Sequence, residues 1–360
     1  MRRCKLVVSD FHLGTGQLLE TGEVNPFEDF IFDSRFVSFL DYYRSDEFEA
    51  AEVELILDGD FLNTLQVYYG EESPAEMTER GSVDKVKKIF AGHPELFDAL
   101  ARFAAAPNHR VTYITGNHDP ALHWRAVREE WNRRLGAETH FPGFIYSFDG
   151  VWVEHGHQYT AANRYDPGKL FVKNARGEDI LNLPWGCVWA IDYLDVIKKE
   201  RVYIDRVQPF GRYLFLALFF DPVFAFRALG RLLWFFVAQR RRDGMWRNWG
   251  EFRRTLEIIR QTSILPRLDP AARKILARPA FHTVIFGHNH QAAYRRWGRD
   301  KLYVNVGTWN DIIHLDIQNL GRQRRMTYAF LDYGDGHGHR PVTRLKIWKG
   351  TRLTEEDVVF

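Results

Sequence analysis

The sequence predicts an α/β protein in which short buried strands alternate with helices. Short apolar segments rich in branched or aromatic residues recur along the chain, as is typical of interior strands. They are residues 5–9, 53–58, 110–115, 150–154, 282–286 and 302–306. Helical patterns lie between several of these segments, for example at 84–106 and 121–135.

Polar motifs follow the first five predicted strands. They are Asp10-Phe11-His12, Gly59-Asp60, Gly116-Asn117-His118-Asp119, His155-Gly156-His157 and Gly287-His288-Asn289-His290. Each motif alone is weak, because Gly-Asp turns and single histidines are common. In open α/β sheets, however, ligands bind beyond the carboxyl ends of strands. We therefore expect these side chains to meet in one site of mixed oxygen and imidazole ligands, which suits Mn, Fe, Zn or Co better than Ca or Mg.

Residues 168–265 break the alternation of strands and helices and are rich in aromatic residues. A membrane-spanning helix needs about 20 apolar residues, whereas the uncharged run from Tyr213 to Phe220 stops at Asp221-Pro222. We predict a helical insertion here, called the insertion below. It would divide a catalytic domain into a first half, 1–167, and a second half, 266–360.

Charge is unevenly distributed, although the net charge of the 360 residues is only +2. Residues 198–257 together with Arg260 carry 14 basic and 6 acidic side chains, which indicates an anionic partner near the insertion. An apolar face flanked by arginine suits a lipid phosphate, or peripheral membrane contact through 205–240. An ordinary cap with its own small core explains the same residues equally well, and nucleic acid stays open as a partner.

The cysteines and the start of the chain suggest a cellular location. Cys4 and Cys187 have no metal or redox spacing and fit buried free thiols in a reducing compartment. The first predicted strand begins at Lys5, which leaves no room for a signal peptide before it. We predict a cytoplasmic protein, with contact to the inner face of the membrane as a further hypothesis.

Taken together, the five motifs resemble those of the calcineurin-like metallophosphoesterase superfamily. The opening Ser-Asp-Phe-His-Leu and the His-Gly-x motif are similar to the branch that contains UDP-2,3-diacylglucosamine pyrophosphatase, in which a helical insertion over the active site holds acyl chains. The resemblance covers about residues 5–165 and 280–310. It implies a layered fold of central β-sheets flanked by helices, and two divalent metal ions, with Mn favoured and Fe, Zn or Co as alternatives.

The resemblance also implies a role for each motif residue. One metal would be held by Asp10, His12, Asp60 and His290, and the second by Asp60, Asn117, His155 and His288, so that Asp60 is shared. His118 would donate a proton to the leaving group from a pKa near the usual value of about 6.5, and Asp119 would orient it. Candidate substrate contacts are Arg164, Asn63, which stands where the family often has a carboxylate, and His157.

The predicted activity follows from this chemistry. Two cations clamp the phosphoryl oxygens and acidify a bridging water, which attacks phosphorus. We expect hydrolysis of a phosphodiester or pyrophosphate bond in a nucleotide- or lipid-linked substrate. The alternatives are a nuclease of the same superfamily, acting on DNA or RNA, and a non-catalytic metal-binding scaffold. An apolar groove that opens onto the metals would favour lipid, whereas an open basic cleft would favour nucleic acid.

Overall fold

Two β-sheets packed face to face form the centre of the molecule. The computed structural model describes residues 2–19, 21–68, 75–243, 267–315, 320–334 and 340–350. The strands of the six-stranded sheet, from one edge to the other, are β16 (Val342–Ile347), β15 (Thr327–Asp332), β1 (Arg3–Val8), β2 (Glu52–Asp58), β3 (His109–Ile114) and β4 (His140–Gly143). The sheet is parallel from β1 to β4 and antiparallel at β15 and β16.

The second sheet has five strands. In order they are β11 (Ala293–Trp297), β12 (Lys301–Asn305), β10 (Thr283–Phe286), β6 (Val151–Glu154) and β5 (Ile145–Phe148). Its three central strands are parallel, and both edge strands run antiparallel to their neighbours. All six strands predicted from apolar segments are confirmed, as β1, β2, β3, β6, β10 and β12.

Helices cover the outer faces of the two sheets, so the described chain is a mixed α/β protein. On the six-stranded sheet lie α1 (Asp33–Tyr42), α2 (Glu79–Gly92), α3 (Pro94–Ala104) and α4 (Arg125–Leu135). On the five-stranded sheet lies α9 (Asp269–Leu276). A further apolar core fills the space between the sheets.

Side-chain alternation in β1 explains how one strand serves two cores. Leu6 and Val8 belong to the core under the helices, whereas Val7 belongs to the core between the sheets. Successive side chains of a strand point to opposite faces, so a strand that is buried on both faces needs apolar residues on both. The unbroken run Leu-Val-Val is therefore what a central strand of two packed layers requires. The buried charge in β1, Lys5, is paired with Glu54 of β2.

The helix predicted at 84–106 is two helices, α2 and α3, which meet at His93. Proline lacks a backbone N–H and disfavours the helical conformation in the residue before it. Pro94 is the first residue of α3, and His93 has φ −133° and ψ 51°. The pattern at 121–135 also divides, into a short 3₁₀ turn (Pro120–His123) and α4.

The insertion is helical over most of its described length. It contains α5 (Trp185–Trp189), α6 (Asp195–Lys198), α7 (Phe210–Phe220) and α8 (Pro222–Asp243), with a π-helical turn between α5 and α6. These elements share a small apolar core of their own. As expected from Asp221-Pro222, α7 ends and α8 begins there. Residues 244–265 of the predicted insertion lie outside the described residues.

Two parts of the insertion form strands instead of the predicted helix. A hairpin joins β7 (Phe171–Lys173) to β8 (Asp179–Leu181). Its turn is stabilised because Asn174 Oδ1 accepts from the backbone N–H groups of Arg176 and Glu178, at 2.9 and 3.0 Å. The short strand β9 (Val207–Gln208) pairs with β13 (Ile312–His314), which pairs in turn with β14 (Gly321–Gln323).

The α7–α8 hairpin exposes large apolar side chains. Phe219 is 68% exposed, Phe220 is 84% exposed and Trp234 is 71% exposed. No helix in the described part of the chain combines the length and apolar character that a bilayer crossing requires.

Candidate metal centre

The predicted ligands meet at one end of both sheets. β1, β2 and β3 are parallel neighbours, as are β6 and β10, so the turns that follow them lie at common edges. Two groups have ligand atoms within 4.8 Å of one another: Asp10 with His12 and His290, and Asp60 with His155 and His288. A third group of the same kind joins His12, Asp60 and His118.

Distances within these groups match those between atoms that share an ion. Ligand atoms about 2.0–2.2 Å from one cation lie about 3.0–3.5 Å apart. In the first group, His290 Nε2 is 3.1 Å from Asp10 Oδ1 and 3.2 Å from His12 Nε2. In the second, His155 Nε2 is 3.1 Å from Asp60 Oδ2. Asp60 Oδ2 is also 3.9 Å from His12 Nε2, so this carboxylate lies between the two groups.

Buried polar atoms without protein partners show that the donor set fits cations. Among the described residues, Asn117 Oδ1 is buried without a hydrogen-bond partner. Asp10 Oδ1 and His155 Nε2 are also buried without a hydrogen bond of regular geometry, and they face other candidate ligands. Buried polar atoms are normally paired. His155 Nδ1 donates to the Asp58 carbonyl at 2.7 Å, which leaves the Nε2 lone pair for an ion, as is usual for a metal-binding histidine. Carboxylate, amide and imidazole donors together fit two divalent ions, and the donor types alone do not select among Mn, Fe, Zn and Co.

Backbone strain is concentrated in the same residues. Within the described chain, seven non-glycine residues have positive φ, and five of them are predicted ligands. These five are Asp10 (φ 59°), His12 (54°), Asp60 (51°), His288 (69°) and His290 (59°). Each such conformation costs roughly 1–3 kcal/mol and persists only where the surroundings enforce it. The turns are therefore shaped for ligand placement at the expense of local backbone stability.

Glycines in two motifs allow the turns to pack closely. A Cβ on Gly116 would lie 2.2 Å from Asp60 Oδ1, and a Cβ on Gly287 would lie 2.1 Å from Ser9 Oγ and 2.6 Å from Asp10 Oδ2. Atoms cannot approach so closely, so any larger residue would displace a carboxylate that the site needs.

The carboxylates of the site are held in the charged form. Burial raises the pKa of Asp60, but the neighbouring His155 and His118 outweigh it and hold the pKa well below its usual range. Metal ligands must be deprotonated, so Asp60 is in the state that a cation requires.

His118 is held at its backbone and at its ring. Its N–H donates to Asp60 Oδ1 at 2.7 Å, and its carbonyl accepts from the N–H of Thr64 at 2.8 Å. Its Nδ1 is 3.2 Å from Asn63 Oδ1. The expectation of a near-normal pKa is wrong: burial lowers the pKa of His118 to about 3, because the charged imidazolium would lose its hydration.

The predicted orienting role of Asp119 needs correction. Its carboxylate accepts from Gly116 N at 2.6 Å, Phe61 N at 3.1 Å and the Tyr113 hydroxyl at 2.8 Å. These bonds hold the turns around the metal centre together, and the contact to the His118 ring comes from Asn63 instead. Burial and the charge of Asp60 raise the pKa of Asp119 to about 7.

A cavity of about 260 Å³ joins the ligand cluster to the insertion. One end is polar and contains Asp60, Asn117, His118, His288 and His290. The other end is formed mainly by apolar residues of the insertion, namely Trp185, Trp189, Ala190, Leu194, Ile204, Val207, Pro209 and Phe210. The described residues that line the cavity include neither lysine nor arginine. Sequence reasoning identified the insertion as aromatic but did not single out Trp185 or Trp189.

Two of the three predicted substrate contacts lie away from this cavity. Arg164 is exposed, and its Nε donates to the Gln158 carbonyl at 3.0 Å. His157 is fully buried, with its ring centroid 5.3 Å from that of Phe144 and 5.8 Å from that of Tyr165. Asn63, the third, reaches the site only through His118.

Comparison with known proteins does not assign a family. No protein-family model matches the chain, and no curated protein matches it. Among solved structures, the chain is similar to a dimetal phosphatase from Danio rerio, at 11% sequence identity over 94% of this chain and 98% of that one, with a TM-score of 0.35. Similarity this low assigns neither a fold family nor an activity to the chain.

Proposed function

We propose that this protein is a two-metal phosphoester hydrolase that cleaves a phosphodiester or pyrophosphate bond in a lipid-linked substrate. The observation that carries the proposal is a cavity with a cluster of candidate metal ligands at one end and an apolar wall at the other. A phosphate group attached to a hydrophobic chain matches both ends, because its phosphate suits the metal ligands and its chain suits the apolar wall.

The ligand cluster is assigned to two ions. Asp10, His12 and His290 would hold one, Asn117, His155 and His288 would hold the other, and Asp60 would contact both. When bound, such ions neutralise phosphoryl charge and make a water molecule more acidic. The resemblance in motifs favours Mn, with Fe, Zn or Co as alternatives that the donor set accepts equally well.

His118 is proposed to act on the leaving group. Its Nδ1 faces Asn63, so Nε2 is the atom left to give the leaving oxygen its proton. The free ring is neutral at pH 7, because burial lowers its pKa to about 3. A bound phosphoryl group is anionic, and an adjacent anion favours the charged imidazolium, so we expect protonation to accompany substrate binding.

A nuclease acting on DNA or RNA is the second candidate, since the five motifs also resemble those of nucleases in the same superfamily. Nucleic-acid sites track phosphates with lysine and arginine, and the described cavity lining is apolar opposite the ligands. A non-catalytic scaffold is the third candidate. The complete set of predicted ligands favours catalysis over that role.

Hydrolysis assays on the metal-loaded protein separate the three candidates. The Mn-loaded chain is assayed against a chromogenic phosphodiester, a phosphomonoester, single-stranded DNA and a UDP-linked lipid. We expect the lipid-linked substrate to have the highest kcat/KM. Preference for DNA would replace the proposal with a nuclease. If the protein with both metals bound hydrolyses none of the four substrates, the non-catalytic scaffold is the remaining candidate.

A variant of the apolar wall tests how the substrate is recognised. Trp189→Ala removes an aromatic ring from the cavity, and losing contact with one apolar side chain costs about 1.5–3 kcal/mol. We expect the ratio of kcat/KM for the lipid-linked substrate to kcat/KM for the chromogenic diester to fall about 10- to 100-fold. Trp297→Ala, outside the cavity lining, is the matched control. An unchanged ratio in Trp189→Ala would mean that the wall does not bind the lipid.

A further inference from the structure

A continuous series of hydrogen bonds runs from His118 into the insertion. His118 Nδ1 is 3.2 Å from Asn63 Oδ1, Asn63 Nδ2 donates to Gln66 Oε1 at 2.6 Å, and Gln66 Nε2 donates to Asp195 Oδ1 at 2.5 Å. Asp195 is the first residue of α6. The four residues His118, Asn63, Gln66 and Asp195 are called the relay below.

The carboxylate of Asp195 at the far end of the relay determines which way each hydrogen bond in the relay runs. An ionised carboxylate only accepts hydrogen bonds, and Asp195 also accepts from the Tyr68 hydroxyl at 2.7 Å. Gln66 must therefore turn its NH₂ toward Asp195 and its oxygen toward Asn63. By the same reasoning, Asn63 turns its NH₂ toward Gln66 and its oxygen toward His118, so the proton on the neutral His118 ring sits on Nδ1.

Burial makes each link depend on the next. Asn63 and Asp195 are each 1% exposed and Gln66 is 5% exposed, so bulk water cannot replace a missing partner. Leaving a buried amide unpaired costs free energy. The side-chain amides of the relay therefore favour one set of orientations, in which every hydrogen bond is made.

We propose that Asp195, acting through Gln66 and Asn63, is a positioning residue that fixes the tautomer of His118. The insertion thereby completes the catalytic half of the molecule as well as walling the cavity. This inference rests on the proposed function, because the tautomer matters for catalysis only if His118 acts on the leaving group.

A purely structural tie between α6 and the loop 61–67 is the competing explanation. Such a tie would affect stability and would lower all activities together. A positioning role also predicts a change in the His118 ring and a loss that depends on the leaving group, and both can be measured separately from stability.

Nitrogen NMR of the imidazole rings tests the tautomer without any activity. Zn-loaded protein labelled with ¹⁵N-histidine is used because Zn is diamagnetic, and the His118 signal is assigned by its absence in His118→Ala. We expect a single Nδ1–H tautomer in the wild type. Gln66→Met and Asp195→Ala should each lose this single tautomer, whereas Asp195→Asn, which keeps an acceptor, should retain it. Gln17→Met, an exposed position, is the matched control.

A rescue variant separates positioning from damage to the fold. Asn63→Asp places a carboxylate directly at His118 Nδ1, so the ring no longer needs Gln66. The double variant Asn63→Asp/Gln66→Met should regain the single Nδ1–H tautomer although position 66 still lacks the amide that bonds to Asp195. Folded Gln66→Met and Asp195→Ala proteins that keep the wild-type tautomer would overturn the relay, as would a failure of the double variant to restore it.

Kinetics then test whether the relay matters for turnover. Aryl and alkyl phosphodiesters are compared, because a poor alkyl leaving group needs the proton more. In Gln66→Met we expect kcat for the alkyl diester to fall about 10- to 100-fold more than kcat for the nitrophenyl diester, with KM little changed, as for a weakened general acid. Equal losses of kcat for the alkyl and nitrophenyl diesters would mean that the relay is only a structural tie. If the wild type hydrolyses no phosphoester, the proposed function fails, and the NMR result still decides whether Asp195 positions His118.

Discussion

Gly116 shows how little space surrounds the shared carboxylate. The backbone of Gly116 lies so close to Asp60 that a Cβ would stand 2.2 Å from Oδ1 and 2.5 Å from the Asp60 nitrogen. The carboxylate also accepts from His118 N at 2.7 Å, so displacing it would strain this hydrogen bond as well. Movement of Asp60 is the only relief available.

We therefore predict that Gly116→Ala loses metal and activity together. Substitutions next to metal ligands typically cost about 10- to 100-fold in affinity or rate, and displacement of a shared ligand should reach the upper end of that range. Metal content by mass spectrometry and the hydrolysis rate measure the two losses. Gly230→Ala, with no atom within 4 Å of the new Cβ, should keep both. A Gly116→Ala protein with wild-type metal content would contradict the assigned geometry.

For single residues, the sequence predicted which positions meet at the site better than it predicted how their side chains are oriented. The candidate ligands could be placed together from the sequence because each follows a strand end and the ends of parallel strands share an edge. The partner of the His118 ring could not be predicted in this way. Asp119 is adjacent in sequence, but its carboxylate turns toward Gly116, Phe61 and Tyr113. Gln66 and Asp195 are 129 positions apart and carry no motif, so only the folded chain brings them together.

The α7–α8 hairpin is the element whose surface most needs a partner. Large apolar side chains are exposed at its turn and along α8, among them Phe219, Phe220, Val223, Phe226, Leu233 and Trp234. An amphipathic element with aromatic residues and nearby arginines suits the surface of an anionic membrane. The hydrophobic tip would then bring the cavity close to a source of lipid-linked substrate.

Vesicle binding tests that role of the hairpin. We expect the protein to sediment with phosphatidylglycerol vesicles, and Phe219→Ser/Phe220→Ser to bind at least about 10-fold more weakly, since each phenylalanine contributes roughly 1.5–3 kcal/mol when buried. Leu320→Ser, at a residue that is 72% exposed in another part of the chain, is the matched control. Wild-type protein left in the supernatant would rule out the membrane contact.

Among the elements, the inner strands of the six- and five-stranded sheets except β15 were predictable and the edge strands were not. β1, β2 and β10 are largely buried on both faces and contain short apolar runs, at 6–8, 55–57 and 284–286. β11 has the sequence Ala-Tyr-Arg-Arg-Trp and is largely exposed, so it lacks the apolar signal and forms through its pairing with β12. β13 and β14 have only three residues each, too few for a periodic pattern.

Across the whole molecule, one buried histidine links three separate parts of the first half. His93 Nδ1 is 2.7 Å from Asp33 Oδ1 at the start of α1, and its Nε2 is 3.1 Å from Glu28 Oε2. Glu28 also accepts from the N–H of Gly16 at 2.7 Å. Burial lowers the pKa of His93, but the two carboxylates outweigh it and raise the pKa to about 9.

This raised pKa predicts a pH-dependent stability. The folded protein keeps a proton on His93 that the unfolded chain releases near pH 6.5. The stabilisation is therefore fully present below pH 6.5 and is lost as pH rises through about 9, by about 3 kcal/mol in total. Urea unfolding at pH 6, 7, 8 and 9 measures the decline, and His93→Gln should flatten it. An equal decline in that variant would assign the effect to other groups.

Two ions are proposed to bind around Asp60, and the number of metal ions bound per chain tests this arrangement. Metal content and hydrolysis rate are measured on the same Mn-loaded samples of the wild type, Asp60→Asn and Asp98→Asn, an exposed carboxylate on α3. We predict two ions per chain in the wild type and in Asp98→Asn, and at most one ion with activity near background in Asp60→Asn. An active wild type that binds fewer than two ions, or an Asp60→Asn protein that keeps both ions and its rate, would rule out a two-ion site that shares Asp60.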